Sequence, residues 1–361
     1  MLGTNGPPSS NGGARKAHTN SQPFIHHHNH HHHRTIRHRL HLLYISAVST
    51  TTPSILFHHL PTISPPSSLT PFELAFALPR LYNSNLRHAL QTLISQNSRP
   101  KASMIDFFCN PSFEVFTSLG IPTYYFFTSG AGGLSALLAI PTTHQTVVEK
   151  IKDPNTSIDF PGVPPIPTPD LPEPFSDLEG IPYKSLFSAA ISMPKSSGVL
   201  TNTFTEFEPR AVKAISDGLC NPSLPTPPIY CIGPIVVNSG EDQEHECLRW
   251  LDSQPSQSVV FLCFGSTGLF KAEQLMEMAI GLEKSGHRFL WVVALALEES
   301  EGGFVSADEL EKRVRELMDS ESGKRVRERV MEMRDGAKAA LGEGGTSRVA
   351  LAELVESWRK G

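Results

Sequence analysis

Residues 104–127 read MIDFFCNPSFEVFTSLGIPTYYFF, and the reading of this stretch decides the fold. Met104 to Phe108 is a short apolar run of strand length. Asn110 is placed to cap a helix with Pro111 at its first position, Gly120 ends that helix, and Pro122 to Phe127 supplies a second strand. Strand, helix and strand with short connections make a parallel βαβ unit, whose ligand crevice opens at the carboxyl ends of the strands. Asp106 sits within the first strand and Thr128 just past the second.

Outward from this unit the pattern repeats. Gly198 to Thr203, a helix from Glu208 onward and Ile229 to Ile232 predict a second βαβ unit, and the proline-dense stretch Asp159 to Pro174 between the two predicts an extended loop. Gly233-Pro234 and the polar run Asn238 to Asp242 mark a linker before a helix containing Leu248, Trp250 and Leu251. Val259 to Phe264 then has the unbroken apolar texture of a parallel strand covered on both faces. The Gly265-Ser266 turn, a helix marked by Leu275, Met278, Ala279 and Leu282, and a strand over Arg288 to Val293 follow. Beyond Val293 only helices are predicted. Ser306 and Glu309 form a capping box, Val326, Val330 and Met333 mark a further helix ending near Gly342, and Leu351 to Trp358 mark the last. The predicted fold is α/β with two Rossmann-like domains, the second incomplete because its sheet is too small for the helices meant to cover it.

Composition narrows the function. Against 36 acidic residues stand 31 Lys and Arg, a formal charge of −5 that offers nucleic acid no broad basic surface. The five cysteines are widely spaced, with neither zinc-site nor disulfide-framework spacing, and read as reduced thiols. No apolar run has the roughly 18 residues a membrane span requires, and no signal-peptide order opens the chain, so a soluble, cytoplasmic monomer without membrane association is expected. Residues 1–41 are rich in Gly, Ser, Pro and His. The clustered histidines from His26 to His33 read as biased low-complexity sequence rather than metal capture, and no metal site is expected.

Several segments together resemble the plant UDP-glycosyltransferases of family 1, closest to flavonoid and anthocyanidin glucosyltransferases. They are Gly198 to Phe204 with Glu208-Pro209-Arg210-Ala211, Gly233-Pro234, Cys247 to Asp252, and Val259 to Ser266. Each piece is weak alone, but their order and spacing from about Tyr44 to Lys360 are specific. The resemblance implies a GT-B fold and transfer of a hexose, glucose by expectation, from a UDP-sugar co-substrate to the hydroxyl of a small phenolic or flavonoid acceptor. No other cofactor is implied. It divides the chain into a tail (1–41), an acceptor-side domain lacking its first strand (42–231), a linker (232–243) and a remnant of the donor-binding domain (244–361). In the family a histidine takes the acceptor proton and an aspartate balances it. Asp106 matches that aspartate, and the resemblance favours the catalytic position over the alternative of a partly buried strand-end carboxylate that caps a neighbouring turn. Thr128, Gly265 and Ser266 match positions near the donor sugar and phosphates, where a glycine permits close backbone approach and a hydroxyl suits an anion. Ordinary helix capping explains both hydroxyls equally well, because capping and phosphate contact use the same geometry.

Two departures bear on activity. The strand and Gly-His turn that carry the family's histidine have no counterpart, since the His-rich tract stands in their place. The donor signature, with its stacking Trp, its His-Cys-Gly-Trp-Asn-Ser stretch and its terminal acidic-Gln pair, is absent after Val293, and Trp250, Trp291 and Trp358 lie in other contexts. The chain is therefore expected to be a transferase by descent that is inactive in this shortened form. The alternatives are a non-catalytic remnant or small-molecule-binding protein and, because Gly130, Gly132 and Ser135 partly match a dinucleotide fingerprint, a nucleotide-dependent oxidoreductase.

Overall fold

The computed structural model describes residues 44–236, 246–265, 270–292 and 304–360. The His-rich tract, Ser266 and Val293 lie outside the described residues, as does most of the predicted linker. The chain divides into two compact units, Met1–His59 and Leu60–Gly361. In the first, residues 44–51 are helical and the chain continues without regular structure. The rest of the architecture belongs to the second.

That unit opens with helix α1 (Pro71–Ser95), which the sequence analysis leaves unassigned. Its start is locally determined: Thr70 accepts from the Glu73 backbone N–H, the Glu73 carboxylate returns to the Thr70 N–H, and Pro71 takes the first helical position. Leu90 of α1 packs with Val115 and Ile121.

The first sheet contains β1 (Ser103–Asp106), β2 (Thr123–Phe127), β5 (Gly198–Thr201) and β6 (Ile229–Cys231), all parallel and in the order β1-β2-β5-β6. Both predicted βαβ units are present. Every residue of β5 is buried, as befits a strand covered on both faces. Between β1 and β2 the chain runs as a 3-10 turn (Phe107–Ser112) and then α2 (Phe113–Ser118). The predicted cap is corrected here: Asp106, not Asn110, starts the helical stretch, accepting from the Phe108 N–H at 2.8 Å. Asn110 is buried inside the turn instead, accepting from the Tyr125 hydroxyl at 2.7 Å and donating to Ser188 Oγ at 3.1 Å. A side chain that can tie two elements together overrides a local capping preference.

Helix α3 (Ala131–Lys150) follows β2 and buries Leu134, Leu137, Leu138, Ile140 and Val147 against the first sheet's core. The proline-dense loop holds a two-stranded antiparallel pair, β3 (Ser157–Ile158) and β4 (Ile166–Pro167). Helix α4 (Ile181–Ser192) and helix α5 (Pro209–Ser216) flank β5 in sequence.

The second sheet has two parallel strands among the described residues, β7 (Val259–Cys263) and β8 (Arg288–Val292). Helix α6 (Glu246–Asp252) precedes them, α7 (Ala272–Ser285) joins them, and α8 (Ala307–Asp319) and α9 (Glu321–Leu341) follow. One face is covered: Val260, Leu282 and Val314 form a small core with Leu262, Trp291 and Leu310. The other is bare. Phe261 is 63% exposed and Val292 49%, as a second sheet too small for its covering helices implies, although the apolar run by itself reads as a strand covered on both faces. Val326 and Val330 of α9 are exposed as well. The last helix, α10 (Thr346–Lys360), counted by sequence with the second half, packs on the first sheet. Its Leu354 is fully buried with Tyr124 and Leu200, Trp358 meets Tyr124 edge-on, and Ser347 Oγ donates to the Gly233 carbonyl at 2.6 Å.

Candidate functional site

The ends of β1 and β2 lie side by side because Asp106 is in register with Phe126. Asp106 and Thr128 therefore share one carboxyl edge, where a doubly wound sheet opens its crevice. Gly265 stands at the corresponding end of β7, on the other sheet. Its φ of +71° is the left-handed region that glycine adopts without strain, and a Cβ there would meet nothing within 4 Å.

Asp106 is partly buried. Loss of solvent raises its carboxyl above the usual range, and the Phe108 N–H it accepts opposes that shift. Among the described residues no histidine is bonded to it. Cys109, three residues on, is also raised, first by burial and then by the nearby Asp106 charge. Thr128 is exposed, and no hydrogen bond to its hydroxyl is present among the described residues. Helix capping does not account for it, because Gly130 occupies the cap of α3.

The cap of α3 is filled from elsewhere. The Glu208 carboxylate accepts from the Ala131 N–H at 2.8 Å through one oxygen and from the Gly132 N–H at 2.8 Å through the other, and the Thr203 hydroxyl donates to it as well. A side chain at Gly130 would collide with that carboxylate. A helix N-terminus favours an anion, and here an internal one takes the place a dinucleotide pyrophosphate would need. This removes the physical basis of the oxidoreductase alternative. Sequence reasoning missed Glu208 because it immediately precedes Pro209 and reads as the start of α5, yet it makes no capping bond to its own helix.

Replacing Glu208 by Ala leaves two backbone donors and one hydroxyl without their shared acceptor. Hydrogen bonds to a charged group are worth about 1.5–3 kcal/mol each and do not add fully, so a net loss of about 2–4 kcal/mol is expected. A lowered urea midpoint for Glu208→Ala, with Glu208→Gln falling between it and the unaltered chain, is the predicted result.

Behind this edge lies a cavity of about 430 Å³ whose lining carries no polar side chain. Phe107, Phe127 and Gly132 line it together with Leu137, Phe160 and Phe175. Its size and wholly apolar lining suit a flat aromatic ligand. Beyond Phe175, Tyr183 donates or accepts at 2.7 Å with His144 Nδ1, and burial pushes the Tyr183 phenol up to about 12.

Comparison with known proteins gives this geometry its context. No family model matches the chain. UDP-glycosyltransferase 88B1 of Stevia rebaudiana is 41% identical over 410 aligned positions, covering 87% of this chain and 88% of the relative. Anthocyanidin 5,3-O-glucosyltransferase of a Rosa hybrid cultivar is 39% identical, covering 88% and 86%. The chain belongs to the plant UDP-glycosyltransferases. Phytolacca americana UGT2, solved with UDP-2-fluoro-glucose and pterostilbene, superposes with a TM-score of 0.73 at 29% identity, covering 87% of this chain and 89% of that one. The fold is that of the GT-B transferases, and the co-substrate of this family is a UDP-sugar. Because 410 aligned positions exceed the 361 residues of the whole chain, the match steps over segments that the Stevia relative has and this transferase lacks. Among the described residues no helix is long and apolar enough to cross a membrane, and no cluster of His, Cys, Asp or Glu could hold a metal.

Proposed function

We propose that this UDP-glycosyltransferase keeps an acceptor-binding half and lacks a working donor site, so that it binds small phenolic molecules without glycosylating them. The observation that carries this reading is the contrast between the halves. A four-stranded sheet with an apolar cavity behind its edge contrasts with a sheet of two strands among the described residues, on one face of which Phe261 and Val292 are exposed. Donor contacts in the family come from the second half, and of that half's donor contacts only the Gly265-Ser266 turn has a match in this sequence. Asp106 is read as the remaining member of the catalytic pair, Thr128 as a donor-proximal hydroxyl and Gly265 with Ser266 as the phosphate-facing turn. The organisation proposed is an acceptor-side domain over 42–231 capped by α10, a linker over 232–243 and a donor-side remnant from 244. Action as a cytoplasmic monomer is part of the same proposal. Pterostilbene, the ligand held by the Phytolacca relative, serves as probe for the cavity.

Calorimetric titration tests the division. Pterostilbene is expected to bind with a dissociation constant of about 1–100 μM and a negative heat-capacity change, as burial of apolar area requires, while UDP-glucose gives no binding heat. Saturable heat with UDP-glucose would refute the loss of the donor site, and no heat with pterostilbene would refute retention of the acceptor cavity.

A further inference from the structure

Phe107 is a wall shared by two cavities. On one side is the apolar cavity described above; on the other is a second, of about 300 Å³, between α1, the 3-10 turn and α4. The Phe107 ring lies 5.4 Å from Phe127, which lines the first cavity, and 4.1 Å from Phe108, which lines the second. The two chambers differ in chemistry. Phe76 and Phe108, with ring centroids 4.8 Å apart, give the second an aromatic floor. Arg80, one turn beyond Phe76 on the same face of α1, and Lys184 with Ser185 of α4 supply polar walls that the first lacks entirely.

The polar groups are unequally available. Asn110 is committed to Tyr125 and Ser188. Lys184 is ion-paired with Glu179 at 2.8 Å, an exposed pair that a ligand can exchange at little cost. Arg80 forms no ion pair among the described residues, and neither does Ser185 use its hydroxyl there. No acidic side chain lines this chamber. A guanidinium, an ammonium and a free hydroxyl around an aromatic floor select a planar ring that carries an anion.

From this juxtaposition we infer that the second chamber is an annex of the acceptor site that prefers an acidic ring: the ligand places its apolar ring in the first cavity, passes the edge of Phe107 and presents a carboxylate to Arg80, Lys184 and Ser185. This rests on the acceptor-site reading above and adds the class of ligand. Neither Arg80 nor Lys184 touches Asp106, so both can be altered without disturbing the matched catalytic position.

Two probes that differ only in charge test it, 4-hydroxystilbene and 4-hydroxystilbene-4′-carboxylate, titrated into the full chain by fluorescence at low salt. The carboxylate is expected to bind about fivefold tighter, the effect of a solvent-accessible ion pair. The double variant Arg80→Gln, Lys184→Gln is expected to lose that preference while holding the neutral probe unchanged, and 0.5 M salt is expected to remove it from the unaltered chain. Equal affinity for the two probes in the unaltered chain, or a preference that survives in the double variant, overturns the annex. Absence of binding by the neutral probe overturns the acceptor-site reading itself. An unchanged neutral-probe affinity in the double variant also shows that the variant is folded.

Discussion

Hydrogen exchange is expected to divide the chain by at least three orders of magnitude in protection. Amides of β2 and β5 lie in interior strands of a four-stranded sheet, bonded on both edges and buried, so they should open only with global unfolding. Amides of β7 and β8 are each paired along one edge, and beside them Phe261 and Val292 meet solvent. A two-stranded sheet with one bare face is marginal in water. Local opening of that half should therefore cost far less than the first sheet's global stability. The same exposure predicts strong enhancement of a hydrophobic dye at neutral pH without denaturant, because Phe261 and Val292 of the second sheet, with Met276, Phe304, Val326 and Val330, are exposed apolar side chains. Uniform protection across both sheets with no dye signal would mean that the bare face is covered in solution.

The parts legible in the sequence are those where local pattern and tertiary fate agree. The strands β2, β5, β7 and β8 lie within the predicted apolar runs, and α7, α8 and α9 begin and end near their predicted signals. Ser306 accepts from the Glu309 N–H at 3.3 Å, as the capping-box spacing implies. The parts that were not legible depend on distant partners. Nothing near Asn110 indicates that it will meet Tyr125 and Ser188, and nothing near Glu208 indicates that its carboxylate will reach the start of α3. Likewise, the return of α10 to the first sheet is decided by Leu354 finding Tyr124 and Leu200 rather than by any signal in its own sequence. Of the matched site residues, β-strand register alone places Asp106 and Thr128 together. Gly265 belongs to the other sheet, where its turn was readable from the glycine but its surroundings were not.

Sugar transfer is the property expected to change most relative to the family. A donor platform combines ring stacking, phosphate contacts and sugar hydrogen bonds, each worth about 1–3 kcal/mol, so losing several weakens donor binding by several orders of magnitude. None of the three tryptophans replaces the stacking group: Trp291 packs against the core of the second half, Trp358 lies against Tyr124, and Trp250 belongs to α6. No histidine is bonded to Asp106 among the described residues, so general-base assistance, worth about 10² to 10⁴, is expected to be lost as well. The two losses act on different steps, donor binding and proton removal, and so compound. Asp106→Asn should consequently change nothing in turnover, because among the described residues the carboxylate has no imidazolium to balance. The direct measurement is mass spectrometry of the purified chain, and of its Asp106→Asn variant, after prolonged incubation with UDP-glucose and a panel of flavonols and anthocyanidins. No glycoside above the enzyme-free control is predicted for either protein; a glycoside formed by the unaltered chain and lost in Asp106→Asn would contradict the account.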